Sequence, residues 1–277
     1  MTTETAPRPG AGHTAAEARY LYAVVPEHDV GHIRDGLPPG LDAVPEGDLC
    51  AITGHVPTTL AGGPDVCTVD DLGRAVRDHE RTVEHVLAQA SSLVPFRFGT
   101  VLTSRAAVTR LLQRRSTELH QILRALEARR EWGITVSWDA WHAHEAASAR
   151  RSAEAERTAD GAGHRYLAMR REERAAAQSL ATVRESVARS IEAALEPHAE
   201  LRRSLRLQEL PEGWRAVEPE RRAVGVLHVA ALVATSGEHR LVVALDGALC
   251  RHRGLTATVS GPWPPYSFVD MTELAVT

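Results

Sequence analysis

Residues 224–234, with the sequence VGVLHVAALVA, form a nearly continuous apolar run rich in β-branched residues. Such a run is typical of a central strand that is covered on both faces, or on one face and by a partner. Periodicity and turn residues on either side of it predict further elements. The predicted strands are residues 132–138, 205–208, 224–234 and 255–259, and the predicted helices are residues 166–195 and 238–251.

This β-α-β-β-α-β order is that of the ferredoxin-like, split βαβ arrangement. Right-handed crossovers then give an antiparallel sheet with both helices on one face. The second and fourth strands, near residues 203–209 and 255–260, are expected at the sheet edges. The Ala/Arg/Glu-rich residues 140–160 show no clear apolar stripe, so they are read as a helix or a loosely ordered excursion.

The first half of the chain predicts a separate β-β-α-β-α domain. Strands are expected at residues 20–25 and 49–56, with a Gly/Pro-rich loop over residues 31–47. Thr68 and Asp71 have the spacing of a capping box before an amphipathic helix that includes Leu72 and His79. Residues 93–102 are extended, and Ser104 caps a helix that runs to about Arg130.

The predicted fold class is therefore α+β with two domains. A disordered lead-in occupies residues 1–18, an N-terminal domain spans residues 19–130, and a ferredoxin-like domain spans residues 131–277.

Composition excludes several classes of protein. No apolar run approaches the roughly 18–20 residues that cross a bilayer, and the N-terminus lacks the apolar region of a secretory signal, so a cytoplasmic protein is expected. A net charge of −4 argues against a nucleic-acid binder. Cys50, Cys67 and Cys250 are far apart and odd in number, which fits small apolar residues and no disulfide or metal framework.

The motifs of common enzymes are missing. There is no Gly-x-Gly-x-x-Gly or Gly-x-Ser-x-Gly, and a phosphate loop is impossible because the chain contains no lysine. His142, His144 and Glu145 lack a second pair of ligands at metal spacing. His79 lies within an apolar helical stripe, where a core or boundary histidine is the commoner role. We therefore expect no catalytic residue, cofactor or metal.

The first distinctive segment is Pro95-Phe96-Arg97-Phe98-Gly99-Thr100. Alternation places Phe96 and Phe98 on one face and Arg97 on the other. Arg97 is either an anion-binding fork or a structural arginine that ties helix ends together. The structural role is favoured, since no phosphate-binding loop accompanies it.

The second is the terminal strap, residues 261–269, which reads Gly261-Pro262-Trp263-Pro264-Pro265-Tyr266-Ser267-Phe268-Val269. Its three prolines predict a stiff strap that leaves the sheet. One interpretation is that it folds back to close the second domain. The other is an aromatic docking surface for a protein partner, made of Trp263, Pro264, Pro265, Tyr266 and Phe268. The two are compatible.

These segments, taken in order, resemble the gas vesicle protein F/L (GvpL/GvpF) family. The resemblance rests on an opening Tyr-Leu-Tyr strand, a His-Glu-Arg helix, a Pro-x-Arg-Phe-Gly-Thr block, a Glu-Trp-Gly strand start and the terminal strap. In this chain they read Tyr20-Leu21-Tyr22, His79-Glu80-Arg81, Pro95-Phe96-Arg97-Phe98-Gly99-Thr100, Glu131-Trp132-Gly133 and Gly261 to Phe268.

The resemblance implies two α+β domains, the second with a modified ferredoxin fold. It also implies a non-enzymatic role in forming gas vesicles, as a minor shell-associated or nucleating factor. Its partners would be the small hydrophobic shell protein and other gas vesicle accessory proteins. A ligand-sensing regulatory protein is the alternative from another class, because ferredoxin-like sheets often host ligands; an enzyme comes third.

Overall fold

The computed structural model describes residues 18–34, 37, 39–57, 68–155, 165–203 and 223–270. These residues form a mixed α/β structure with two antiparallel sheets in two compact units. The first unit holds the described residues up to Ala128 together with those from Pro264 onward, and the second holds Arg129–Trp263. The boundary lies two residues before the predicted one, and the end of the terminal strap belongs to the first unit.

The first unit is built on a sheet whose central strand is β1. Along the chain its elements are β1 (Arg19–Pro26), α1 (Val30–Arg34), β2 (Leu41–Glu46), β3 (Leu49–Gly54), α2 (Val69–Gln89), β4 (Val94–Pro95), β5 (Val101–Leu102), α3 (Arg105–Arg114) and α4 (Ser116–Leu126). The strand order is β2-β3-β1-β4, and β5 also pairs with β1. All of these pairings are antiparallel.

Two predictions for the first unit are wrong. Residues 31–47 contain α1 and β2 rather than a loop alone. Pro45 lies inside β2, which is an edge strand, and an edge tolerates a residue that has no backbone N–H to donate. The helix expected from Ser104 to Arg130 is two helices that meet at Arg115, where φ is −104° and ψ is 13°.

The predicted helix caps are confirmed. The Thr68 hydroxyl accepts the Asp71 N–H at 3.2 Å, and the Thr68 N–H donates to the Asp71 carboxylate at 3.4 Å. Ser104 caps α3 in the same manner, by accepting the Ala107 N–H. The capped helix α2 buries its C-terminal half, including His79, whereas Leu72 in the predicted stripe is 43% exposed.

The second unit contains β6 (Arg129–Asp139), α5 (Ala140–Ala155), α6 (Arg165–Leu195), β7 (Glu200–Arg203), β8 (Ala223–Ala234), α7 (Glu238–Leu249) and β9 (Leu255–Trp263). Its antiparallel sheet has the order β7-β8-β6-β9. The long strand β8, which holds the apolar run 224–234, is central as predicted. The second and fourth strands of the unit lie at the edges. The predicted strand 205–208 and the lead-in before residue 18 lie outside the described residues.

One core joins the helices of this unit to a single face of its sheet. Ile134, Val136 and Trp138 of β6 pack with residues from all three helices, among them Ala143, Ile191 and Leu245. The sequence left open whether residues 140–160 form a helix or a loosely ordered excursion, and residues 140–155 are helical. This helix, α5, contacts α6 through the Ser179 hydroxyl, which donates to the Ala147 carbonyl.

The sheet of the second unit continues farther than predicted. β9 extends through Gly261 and Pro262 to Trp263, which pairs with Glu131 beyond an irregularity in register. Pro262 is tolerated because β9 is an edge strand. The prediction that residues 261–263 leave the sheet is therefore wrong.

Candidate functional site

His79 lies at the centre of a polar cluster inside the first unit. Its side chain, on α2, is 3% exposed, and each ring nitrogen meets a tyrosine hydroxyl. Nδ1 lies 3.0 Å from the Tyr20 hydroxyl, and Nε2 lies 3.1 Å from the Tyr266 hydroxyl. We call His79, Tyr20, Tyr22, Phe98 and Tyr266 the histidine–tyrosine cluster.

The hydrogen bonds of this cluster form a single directed chain. The Gly99 N–H donates to the Tyr20 oxygen at 2.9 Å, and the Tyr266 O–H donates to the Phe96 carbonyl at 3.3 Å. Every group is satisfied when His79 is neutral with its proton on Nε2. Nδ1 then accepts from Tyr20, and Nε2–H donates to Tyr266.

Aromatic rings exclude water from this chain. The Tyr22 ring stacks on His79 with centroids 5.4 Å apart, and Phe98 meets the imidazole edge-on at 5.8 Å. Burial, the dominant cause, lowers the pKa of His79 to about 4. Burial also raises the pKa of Tyr20 to about 12 and raises that of Tyr266. The cluster is uncharged near neutral pH, because burial penalises the charged form of each group.

The geometry explains the composition of the Pro-x-Arg-Phe-Gly-Thr block. The Arg97 carbonyl accepts the Thr100 N–H at 3.2 Å, which closes a four-residue turn. Gly99 is the third residue of that turn and has φ of +88°, a conformation that glycine adopts without strain. The Phe96 N–H donates to the Tyr22 carbonyl, so the block is fixed to β1 while its turn reaches Tyr20.

Four of the segments that carry the resemblance thus meet around one histidine. The sequence singled out His79, Pro95, Phe98, Gly99 and Tyr266 separately, and the structure brings them together. Tyr20 and Tyr22 were noted as residues of the first strand and of the segment that opens the resemblance, but not as site residues. Their signal was their rarity, since aromatic residues make up 4% of the chain and recur in these segments.

Two of the predicted motif residues face solvent in the first unit. Glu80 is exposed, and so is Arg97. The Arg97 guanidinium makes no hydrogen bond or ion pair with any residue that the structure describes, so the predicted tie between helix ends is absent there.

The remaining motif residues shape the second unit. Trp132 and Gly133 lie in β6, opposite the end of β9, which holds Gly261 and Pro262. A Cβ on Gly133 would lie 2.8 Å from the Ser260 hydroxyl, so a larger residue here would force the Ser260 side chain to turn away.

The two ends of the terminal strap lie in different surroundings: residues up to Trp263 belong to the second unit, and those from Pro264 onward belong to the first. Pro264, Pro265 and Val269 are buried in the first unit, and Phe268 is half-buried. Trp263 is 42% exposed, and its Nε1–H donates to the Ser260 hydroxyl at 3.1 Å. The strap therefore contributes to the first unit, whereas the sequence assigned it to the second.

The histidine–tyrosine cluster offers little to catalysis. The polar groups of His79, Tyr20 and Tyr266 are used by one another and by the Gly99 N–H and the Phe96 carbonyl, and the histidine resists protonation. Within the described ranges, no three His, Cys, Asp or Glu side chains lie close enough to hold a metal ion. None of the described helices is long and apolar enough to cross a membrane. The cluster is suited to holding the terminal strap in place.

An open cleft of about 280 Å³ lies elsewhere in the first unit. It lies between the end of β1 and α4, and its lining mixes charged and apolar groups. That volume is slightly below the range of about 300–1,000 Å³ in which ligand sites usually fall. The lining includes Pro26, His28, Asp48, Leu49, His120 and Arg124.

Replacing Tyr266 with phenylalanine tests the role of the cluster. The change removes one hydroxyl together with its hydrogen bonds to His79 Nε2 and to the Phe96 carbonyl, so we expect a loss of about 1–2 kcal/mol in the free energy of unfolding. Denaturant unfolding measures it. Tyr22→Phe is the matched control, because the Tyr22 hydroxyl has no hydrogen bond to another described residue. Equal losses in the two variants would contradict the assignment.

Comparison with known proteins agrees with the resemblance. The model of the family described as gas vesicle synthesis protein GvpL/GvpF matches residues 18–270. The chain is 29% identical over 272 residues to gas vesicle protein L of a Streptomyces species, an alignment that covers 92% of this chain and 94% of the relative. It is 26% identical over 262 residues to gas vesicle protein L2 of Halobacterium salinarum, covering 91% of each.

Two crystal structures share the fold. GvpF from an Anabaena species has a TM-score of 0.67 at 17% identity, with 92% of this chain and 98% of that one covered. GvpF from Microcystis aeruginosa has a TM-score of 0.60 at 16% identity, with 91% and 98% covered. The family model spans nearly the whole described chain, including the histidine–tyrosine cluster. This chain therefore belongs to the gas vesicle synthesis protein GvpL/GvpF family.

Proposed function

We propose that this protein is an assembly factor of gas vesicles that binds the small hydrophobic shell protein. It acts as a minor shell-associated or nucleating component, alongside other gas vesicle accessory proteins, in the cytoplasm and at the vesicle. Family membership supports the gas vesicle role. The observation that carries the binding role is an open, uncharged sheet edge in the second unit.

That edge is the outer side of β9. The strand is nine residues long, and among the described strands it pairs with β6 alone. Residues 255–263 include no charged side chain, and Thr256, Thr258 and Ser260 are exposed. Proteins usually protect a long edge with charges, and an unprotected edge is a template for another strand. A sheet-forming apolar subunit can add a strand there.

The terminal strap contributes less to this surface than its sequence suggests. Pro264 and Pro265 are buried, and the Tyr266 hydroxyl is used inside the first unit. Trp263 remains exposed at the end of β9. We therefore place the partner contact at Trp263 and the β9 edge.

The strand order of the second unit supports a further assignment. We infer that this unit is a modified ferredoxin-like domain and that the first unit is a separate α+β domain. The order β7-β8-β6-β9 with the helices on one face has the connections of the split βαβ arrangement.

Deletion of the gene in a vesicle-forming cluster tests the proposed role. Because an assembly factor acts before the shell is complete, we expect vesicles that are absent, few or misshapen in electron micrographs. Restoring the gene in trans is the control. Vesicles of normal number and shape in the deletion strain would refute the role.

The proposed contact has its own test. Co-purification of shell protein should fall several-fold with Trp263→Ala, because exposed tryptophans at interfaces contribute strongly to binding. Val243→Ala is the control, since Val243 is a large apolar side chain exposed elsewhere on the same unit, at 55%. Undiminished recovery with Trp263→Ala would remove this site and leave the assembly role untouched.

A further inference from the structure

A second surface of the second unit combines an exposed tryptophan with two free arginines. It lies where β6 passes into α5 and where the loop after α7 leads into β9. We call Trp141, His142, Arg251, His252 and Arg253 the basic–aromatic corner. The structure assigns it as a docking site for a partner-protein segment in which carboxylates flank an apolar side chain.

Trp141 is held rigidly although its ring is 67% exposed. The Asp139 carboxylate caps α5 by accepting the Trp141 N–H at 3.1 Å and the His142 N–H at 3.2 Å. It also lies 3.0 Å from His142 Nδ1, and the Trp141 ring meets the His142 ring edge-on at 4.8 Å. A fixed backbone lowers the entropy that Trp141 loses when a partner binds.

The loop with the two arginines is fixed beside it. Gly254 has φ of +80°, and a Cβ there would lie 2.5 Å from His142 Nδ1, so only glycine allows the loop to pack so closely. The Asp139 N–H donates to the Gly254 carbonyl at 2.9 Å, and the Trp138 Nε1–H donates to the Arg253 carbonyl at 2.7 Å. Arg253 thus directly precedes Gly254, which packs against His142.

Among the described residues, the two arginines of this corner, Arg251 and Arg253, have no ion-pair partner. Both side chains are exposed. The Asp139 carboxylate, which caps α5 in this corner, already receives three hydrogen bonds, and those from His142 lower its pKa. The corner is therefore positive on a chain whose net charge is −4.

The occupant follows from this chemistry. Tryptophan and arginine are the residues that most often dominate binding energy at protein interfaces. Guanidinium groups bind carboxylates through paired hydrogen bonds, and the exposed indole ring offers apolar area to a neighbouring side chain. Two arginines are too few for a nucleic-acid site on an acidic chain, and stable attachment to a membrane surface needs a larger apolar face.

Titration of the full chain with synthetic peptides tests this assignment. One peptide carries glutamates around leucines, and a second of equal length replaces the glutamates with glutamines. We expect the acidic peptide to bind, the neutral peptide to bind at least about tenfold more weakly, and added salt to weaken the acidic complex. Failure of the acidic peptide to bind, or equal binding of both, overturns the proposal.

Variants locate the site. We expect the affinity for the acidic peptide to fall by about tenfold or more in Trp141→Ala. The same loss is expected in the double variant Arg251→Glu with Arg253→Glu. Val243→Ala controls for loss of an exposed apolar side chain, and Arg110→Glu with Arg114→Glu controls for the change in charge, because both arginines are exposed on α3. Circular dichroism checks that each variant is folded. Equal weakening by the controls, or tighter binding to anionic lipid vesicles or single-stranded DNA than to the peptide, overturns the assignment.

Discussion

Replacing His79 with alanine is expected to lower the free energy of unfolding of the first unit by about 3–5 kcal/mol. His79 is 3% exposed, so its truncation leaves a cavity in the core. An unfilled cavity accounts for much of the cost of core truncations. It also leaves the Tyr20 and Tyr266 hydroxyls without their shared partner, each at a cost of about 1–3 kcal/mol if unsatisfied. The two costs are not additive, because a collapse of the surrounding side chains into the cavity would reduce the cavity and give the tyrosine hydroxyls new partners.

Denaturant unfolding followed by circular dichroism, with proteolysis of the strap as a second measurement, tests this prediction. His85→Ala is the matched control, since it makes the same change on the same helix at a half-buried site whose one hydrogen bond to a described residue is to Gln89 in its own helix. We expect about 1 kcal/mol or less for the control. A similar loss in both variants would show that the cluster does not hold the strap.

The second large effect is a loss of stability in mild acid. The pKa of His79 is about 4 in the folded protein, because burial disfavours the charged ring, against 6.5 for an ordinary histidine. The stability that the neutral, buried His79 contributes is fully present above pH 6.5. As pH falls from 6.5 toward 4, the unfolded chain takes up a proton that the folded protein refuses, so stability is lost across that window and levels off below it.

The size of the stability loss follows from the difference between the ordinary histidine pKa of 6.5 and the His79 pKa of about 4. At 1.36 kcal/mol for each pKa unit, this difference amounts to about 3 kcal/mol. Other groups titrate in the same range, so the comparison uses His79→Gln, which keeps a hydrogen-bonding side chain but does not titrate. The wild type should lose about 3 kcal/mol more than the variant between pH 7 and pH 4. Parallel curves for the two proteins would contradict the buried neutral histidine.

Local patterns predicted the local structure well. The apolar run of β8, the long helix α6 and the Thr68 capping box each depend on residues close in sequence, and the structure has them as expected. The errors arose where tertiary position overrides a local signal. Pro45 and Pro262 look like strand breakers, yet both lie in edge strands, where no neighbour requires their missing N–H.

The candidate site was predicted as parts and missed as a whole. The resemblance singled out the His79 helix, the Gly99 turn and the terminal strap, and the comparisons confirm the family. The hydrogen bond from His79 to Tyr266 joins residues 187 positions apart. Periodicity carries no information about such a pairing, so the sequence placed the strap on the nearer, second domain.

The arrangement of Arg97 shows the same limit. Alternation correctly placed it opposite Phe96, which is buried, whereas Arg97 is exposed. Whether an exposed guanidinium has a partner depends on which surfaces the fold brings near it, and the sequence does not give this. The basic–aromatic corner was missed for a related reason, because residues 139–142 and 251–254 come together only through long-range contacts such as the close packing of Gly254 on His142.

The return of the chain from β9 to the first unit also sets the order in which the protein can be completed on the ribosome. The second unit is one continuous stretch, whereas the first lacks Tyr266 until translation has passed all of β9. At about 5–20 residues per second, the 187 residues between His79 and Tyr266 take roughly 10–40 seconds to synthesise. During that interval the nascent chain presents an unfilled site beside His79, and the N-terminal part of the protein is the last to close.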